Sequence, residues 1–121
     1  MFRAILEDVL RRVEGALMVS LMGTDGIPIE EVRREGAGDP ANRDLIAAEY
    51  AALQKRIVKT HEGLELRRLR EVAVVTEGLA MLLHMVGRDY FLLMMLSGTT
   101  GMGRARYELS KAHLKLQDEI P

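Results

Sequence analysis

The stretch with most capacity for chemistry is the corner Gly98-Thr-Thr-Gly-Met-Gly103-Arg104-Ala105. It falls between an apolar run and a helical pattern, and its glycines have the spacing of a phosphate-binding loop. Backbone N–H groups at a helix start attract anions. A nucleotide loop, however, needs Lys and then Ser or Thr after its last glycine, to reach phosphate and magnesium. Those places hold Arg104 and Ala105. Only one helix follows, with no strand to supply a magnesium-binding aspartate, so the corner reads as a structural turn.

The remaining reactive side chains are scattered. His61, His84 and His113 share no metal-ligand spacing. His84 lies among apolar strand residues and reads as a hydrogen-bonded core or interface histidine. His61 and His113 read as solvated. No serine has an evident histidine and acid partner. Glu30-Glu31 and Asp118-Glu119 are neighbours in sequence, which does not turn them toward one another. Both pairs read as solvated surface. Arg67-Arg-Leu-Arg70 could touch phosphate or an acidic partner, but no aromatic residues accompany it for base stacking. The absence of cysteine removes disulfides, thiolate metal sites and cysteine catalysis. The sequence therefore predicts no enzyme, no catalytic residue, no metal, no cofactor and no nucleic-acid partner.

Composition agrees with a soluble globular chain. The 121 residues suggest one domain spanning 1–121, with 48% hydrophobic and 29% charged residues. The net charge of −1 gives no global pull toward nucleic acid or an acidic membrane. No apolar run reaches the ~20 residues of a membrane helix. Acids at Glu7 and Asp8 come too early for the apolar region of a signal peptide, so a cytoplasmic location is expected.

The elements that must carry these residues are legible from periodicity. Phe2, Ile5, Leu6, Val9, Leu10 and Val13 recur at helical spacing, with Gly15 as the helix-ending glycine. Ala16–Met22 reads as a strand, Gly23-Thr-Asp-Gly26 as a turn, and Ile27–Val32 as a second strand. Pro28 lacks an N–H, which confines that second strand to a sheet edge. Asp39-Pro40 marks the start of a middle helix running to about Lys59 and ending before Gly63. A third strand is expected over Arg68–Thr76. Its charged first half could protect a free edge, or the strand could pair with a copy of itself. Then comes a hairpin, Leu79–Val86 and Tyr90–Leu96, with a two-residue turn at Gly87-Arg88. That turn sets Val86 opposite Asp89 and His84 opposite Phe91. Both hairpin faces are apolar, so the hairpin belongs in mid-sheet, covered on each side. Met102, Ala105, Leu109, Ala112 and Leu116 mark a last helix.

The middle helix has more apolar surface than one contact requires. Ile46, Tyr50, Leu53 and Ile57 form a stripe, with Ala47, Ala51, Gln54 and Val58 beside it and Leu45, Ala48 and Ala52 on the other flank. This is either high helix propensity with partial burial or a subunit interface.

The element order, the Thr24-Asp-Gly-Ile-Pro28 turn, the hairpin at Gly87-Arg-Asp-Tyr90 and the run Gly101-Met-Gly-Arg-Ala-Arg-Tyr-Glu-Leu109 together resemble the roadblock/dynein light-chain family. The resemblance covers nearly the whole chain and is to the bacterial branch containing MglB-type regulators. It implies an α+β fold, α-β-β-α-β-β-β-α, with a five-stranded antiparallel sheet in the order 2-1-5-4-3. The first and last helices would cover one face and the middle helix the other, as in profilin-like folds. It also implies a homodimer with paired third strands and packed middle helices. Joined to the apolar arc above, this marks Ala47, Tyr50, Ala51, Gln54, Val58, Val72 and Val74 as the dimer or partner interface. Family members are non-enzymatic platforms for Ras-like small GTPases, or light chains of motor complexes. MglB-type members stimulate GTP hydrolysis as dimers, without an arginine finger. The expected function is thus a homodimeric regulator or scaffold of a Ras-like small GTPase. The alternative is a structural light-chain-like adaptor with no nucleotide-dependent partner. MglB-type chains often continue past the last helix, whereas this sequence stops at Pro121, a departure that bears on GTPase activation more than on fold.

Overall fold

The computed structural model describes residues 1–36 and 43–120. Its elements are α1 (Phe2–Arg12), β1 (Ala16–Gly23), β2 (Pro28–Arg33), α2 (Arg43–Gly63), β3 (Glu71–Val75), β4 (Ala80–Val86), β5 (Tyr90–Leu96) and α3 (Met102–Gln117). The strands form one antiparallel sheet ordered β2-β1-β5-β4-β3. This is the α+β topology expected from the sequence. The helix start expected at Asp39-Pro40 lies outside the described residues. α2 continues one turn past Lys59, where the Thr60 hydroxyl donates to the Arg56 carbonyl at 2.9 Å and His61 Nδ1 lies 3.0 Å from the Ile57 carbonyl.

Two apolar layers sandwich the sheet. Leu6, Val9 and Leu10 of α1 and Ala105, Leu109, Ala112 and Leu116 of α3 pack against Val19, Leu21, Leu82, Leu92 and Met94. On the opposite face, Ala47 and Ala51 of α2 rest on a layer rich in methionine: Met18, Met22, Met81, Met85 and Met95, with Leu83, Phe91 and Leu93. The small alanines sit over long, adaptable thioethers, which fill the gap beneath the helix. The arrangement explains why the hairpin has no polar face: β4 and β5 lie inside the sheet and are covered twice.

The hairpin register departs from expectation by one residue. Val86 pairs with Tyr90, Met85 with Phe91 and His84 with Leu92, so the turn holds Gly87, Arg88 and Asp89. Gly87 takes φ +69, the conformation a side chain resists. Because side chains alternate with period two, this single step changes which β5 residues share a face with which β4 residues. His84 and Val86 thus share a face with Leu92 and Met94, whereas Phe91, Leu93 and Met95 join Met81, Leu83 and Met85.

The two sheet edges differ. β2 has Pro28 and a register shift against β1 between Leu21 and Met22, both of which blunt pairing. Its expected edge position is correct. β3 forms the other edge over Glu71–Val75, shorter than the expected Arg68–Thr76. One further ladder bond, Met85 N–H to the Arg70 carbonyl at 2.9 Å, extends it toward the arginine run.

Candidate functional site

The glycine corner is a joint. At Gly101 an added Cβ would stand 2.7 Å from the carbonyl oxygen of Glu14, so this position excludes any side chain unless the backbone moves. Arg104 turns along its own helix to Glu108, at 3.3 Å, and Ala105 is fully buried. The two positions that would serve a phosphate loop are thus committed to α3's own packing.

His84 and His113 come together from β4 and α3. His84 Nε2 lies 3.0 Å from His113 Nδ1, with the rings nearly perpendicular. Burial and then the charge of its neighbour push His84 below its ordinary pKa of 6.5. Burial, followed by the nearby Arg70, does the same for His113. His84 matches the expected hydrogen-bonded histidine; His113 is half-buried and paired rather than solvated.

The acid pairs also divide. Asp118 and Glu119 are exposed. Glu30 and Glu31 point to opposite faces of β2, as alternation requires. Glu30 pairs with Arg3 of α1 at 3.1 Å, and Glu31 with Arg33 at 2.9 Å and Arg43 of α2 at 3.7 Å. Adjacent carboxylates therefore tie β2 to a helix on each side of the sheet, a role that local sequence does not reveal. Among the described residues no group of three or more His, Asp or Glu could hold a metal ion, and no helix is long and apolar enough to cross a membrane.

The surface that stands out physically is formed by α2 and the free edge of β3. Ala47, Ala51 and Gln54, expected at an interface, are 6%, 2% and 2% exposed and face the chain's own sheet. Gln54 donates from its amide nitrogen to the Met85 thioether. Tyr50 and Val58 of α2, and Val72 and Val74 of β3, are half-buried around the same layer. Beside them, Ile46 and Ile57 are half-buried, while Leu45, Leu53 and Val75 are exposed. The stripe of larger side chains therefore borders the buried face of α2: Ile46 and Tyr50 pack against the methionine layer, Ile57 is half-buried and Leu53 is exposed. Their size was the signal: alanines permit a close approach to the sheet, and the bulkier residues are left at the rim.

Comparison with known proteins places this geometry. No family model matches the sequence, and no curated protein matches it. Among solved structures, MglC from Myxococcus xanthus is 32% identical, with a TM-score of 0.71 over 98% of this chain and 98% of that one. A roadblock/LC7 domain from Streptomyces avermitilis is 15% identical, with a TM-score of 0.82 over 97% of this chain and 95% of that one. An MglB solved in a tetrameric arrangement is 20% identical, with a TM-score of 0.83 over 95% of this chain and 84% of that one. The near end-to-end match at 32% identity carries the relationship, and the two more distant structures share the fold. The chain thus belongs to the roadblock/LC7 family, in the group that includes MglC and MglB.

Proposed function

We propose that this protein is a cytoplasmic, homodimeric, non-enzymatic regulator or scaffold that binds a Ras-like small GTPase. The observation that carries the dimer is the conjunction of an unblunted β3 edge with an apolar rim on α2. An edge strand with open ladder groups and half-buried valines is a template for another strand. A second copy pairing there would bring the two α2 rims together across a twofold axis. In this reading Tyr50, Val58, Val72 and Val74 meet the partner copy together with Leu53 and Ile57. Ala47, Ala51 and Gln54 form the base that holds α2 on its own sheet. The tetrameric arrangement of the related MglB supports self-association as a habit of the fold. The GTPase partner rests on the family resemblance, and the platform supplies surface rather than a catalytic side chain.

The test is sedimentation equilibrium, followed by capture of a small GTPase encoded beside this chain, loaded in turn with GDP and a non-hydrolysable GTP analogue. The proposal expects a dimer, capture that depends on the nucleotide, and faster GTP hydrolysis if the regulator activates. Capture indifferent to nucleotide would favour the light-chain-like adaptor. A thermal shift of this protein with GTP or ATP alone would contradict the non-enzymatic reading.

A further inference from the structure

A second surface lies at the start of β3, beside the edge of the sheet. Between α3 and the segment leading into β3 opens a cleft of about 600 Å³. Arg67, Arg68 and Arg70 line it, with His84 and His113 within the same cleft and no acidic residue in its wall. The sequence as a whole has more acids than bases, with 18 Asp and Glu against 17 Lys and Arg. Three arginines without a carboxylate are therefore a local departure from the average.

The pairing pattern sharpens this. Arginines elsewhere commonly find partners: Arg3, Arg11, Arg12, Arg33, Arg104 and Arg106 are ion-paired. Glu71, next to Arg70 in sequence, is held by Arg106 through both oxygens, at 3.0 and 3.1 Å. Glu62 and Asp89 line an adjoining cleft that shares Arg67 and Arg68 but form no ion pair with them within the described residues. Arg67, Arg68 and Arg70 form no ion pair or side-chain hydrogen bond within the described residues. The Arg70 charge also reaches both imidazoles and opposes their protonation, against a stronger opposite pull of Glu71 on His84.

Apart from Ser110, the rest of the wall carries no polar side chain. Leu69 and Met85 form part of it, and Leu114 of α3, 66% exposed, stands at its rim. No aromatic side chain other than the imidazoles is available to stack a nucleotide base. Guanidinium groups bind carboxylates through paired N–H donors, and an exposed leucine beside them suits an apolar side chain. We propose that this cleft docks an acidic, leucine-bearing peptide segment of a partner protein, its carboxylates on Arg67, Arg68 and Arg70 and an apolar side chain against Leu69 and Leu114.

The probe is a fluorescein-labelled peptide, Glu-Leu-Glu-Glu-Leu-Leu-Glu, titrated against the full chain by fluorescence anisotropy. An all-glutamate peptide and inorganic phosphate serve as competitors. Saturable binding that weakens as salt rises is expected, because screening acts on the exposed arginines. The ring-proton resonances of His84 and His113 should shift on binding, and their titration should move to higher pH as carboxylates arrive. Arg67→Glu with Arg70→Glu should weaken binding by about ten-fold or more, since like charges then face one another. Leu114→Ser should weaken the leucine-bearing peptide alone. Both changes are at exposed positions, so an unchanged circular dichroism spectrum is expected and excludes misfolding as the cause. Equal affinity for the all-glutamate peptide or phosphate would overturn the peptide assignment in favour of a simple anion site. Absence of binding, binding without histidine shifts, or binding indifferent to the double charge reversal would overturn the site altogether.

Discussion

Leu53→Glu is the substitution that best separates the rim of α2 from its base. Leu53 is 42% exposed in the single chain. Full burial of a leucine side chain contributes about 1.5–3 kcal/mol, so covering the remaining two-fifths yields about 0.6–1.3 kcal/mol per copy. A twofold contact counts this twice, giving about 1.2–2.5 kcal/mol. Two carboxylates placed at the seam, about 6–8 Å apart in a mostly solvated setting, add roughly 0.5–1.5 kcal/mol of repulsion. The total of about 2–4 kcal/mol corresponds to a roughly 30- to 700-fold rise in the dimer Kd. Sedimentation equilibrium across a dilution series measures this directly. At dilution, where monomer dominates, the same variant should cost no more than about 1–2 kcal/mol of unfolding stability, the share of Leu53 burial already made within the single chain. Ala51→Glu should behave in the opposite way. Ala51 is 2% exposed, so a carboxylate there must be buried between α2 and the methionine layer, and the chain itself loses stability at any concentration. An unchanged Kd for Leu53→Glu would remove Leu53 from the seam. A monomer as destabilised by Leu53→Glu as by Ala51→Glu would refute the assignment of base and rim.

Further outcomes follow from the core, the corner and the histidine pair. Leu93 is fully buried between Ser20 of β1 and Leu83 of β4, and Leu93→Ala should cost about 2–5 kcal/mol by urea denaturation. Arg88→Ala, in the exposed turn, should stay within about 0.5 kcal/mol in the same assay. Gly101→Ala should cost about 1–3 kcal/mol, since its Cβ must displace the Glu14 carbonyl. Gly103→Ala, with no atom within 4 Å of its Cβ and lying inside α3, should be neutral or gain up to about 1 kcal/mol. The folded pKa values of His84 and His113 are depressed below 6.5, so the unfolded chain binds protons first on acidification. Stability should therefore be full above the unfolded value, fall as pH drops through it, and level off below the folded values. Glu71 pulls His84 the other way and Arg70 adds to the depression. Thermal melts from pH 7.5 to about 5 should show this slope in wild type, and His84→Gln should flatten it; an identical slope in the variant would assign it to other groups.

Much of the fold could be read along the chain because it depends on local repeats. The spacing of Phe2, Leu6, Val9 and Val13 allows only an amphipathic helix. The doubly apolar Ala80–Val86 and Tyr90–Leu96 require cover on both sides, and the missing N–H of Pro28 sends β2 to an edge. These are consequences of backbone geometry and of the free energy of burying apolar surface, and each is written in neighbouring residues. Tertiary structure decided what neighbouring residues leave degenerate. A turn of two or of three residues suits Gly87 equally, so the hairpin register waited on the competition between two possible β5 faces for the helices above and below. Two adjacent stripes of α2 were both apolar enough to face inward, and the stripe containing Ala47 and Ala51 won because small side chains let the helix approach the methionine layer. The His84–His113 contact and the cleft beside Arg67, Arg68 and Arg70 join groups distant in sequence. Such pairings arise when β4, α3 and the segment before β3 meet in space, and no local periodicity encodes them.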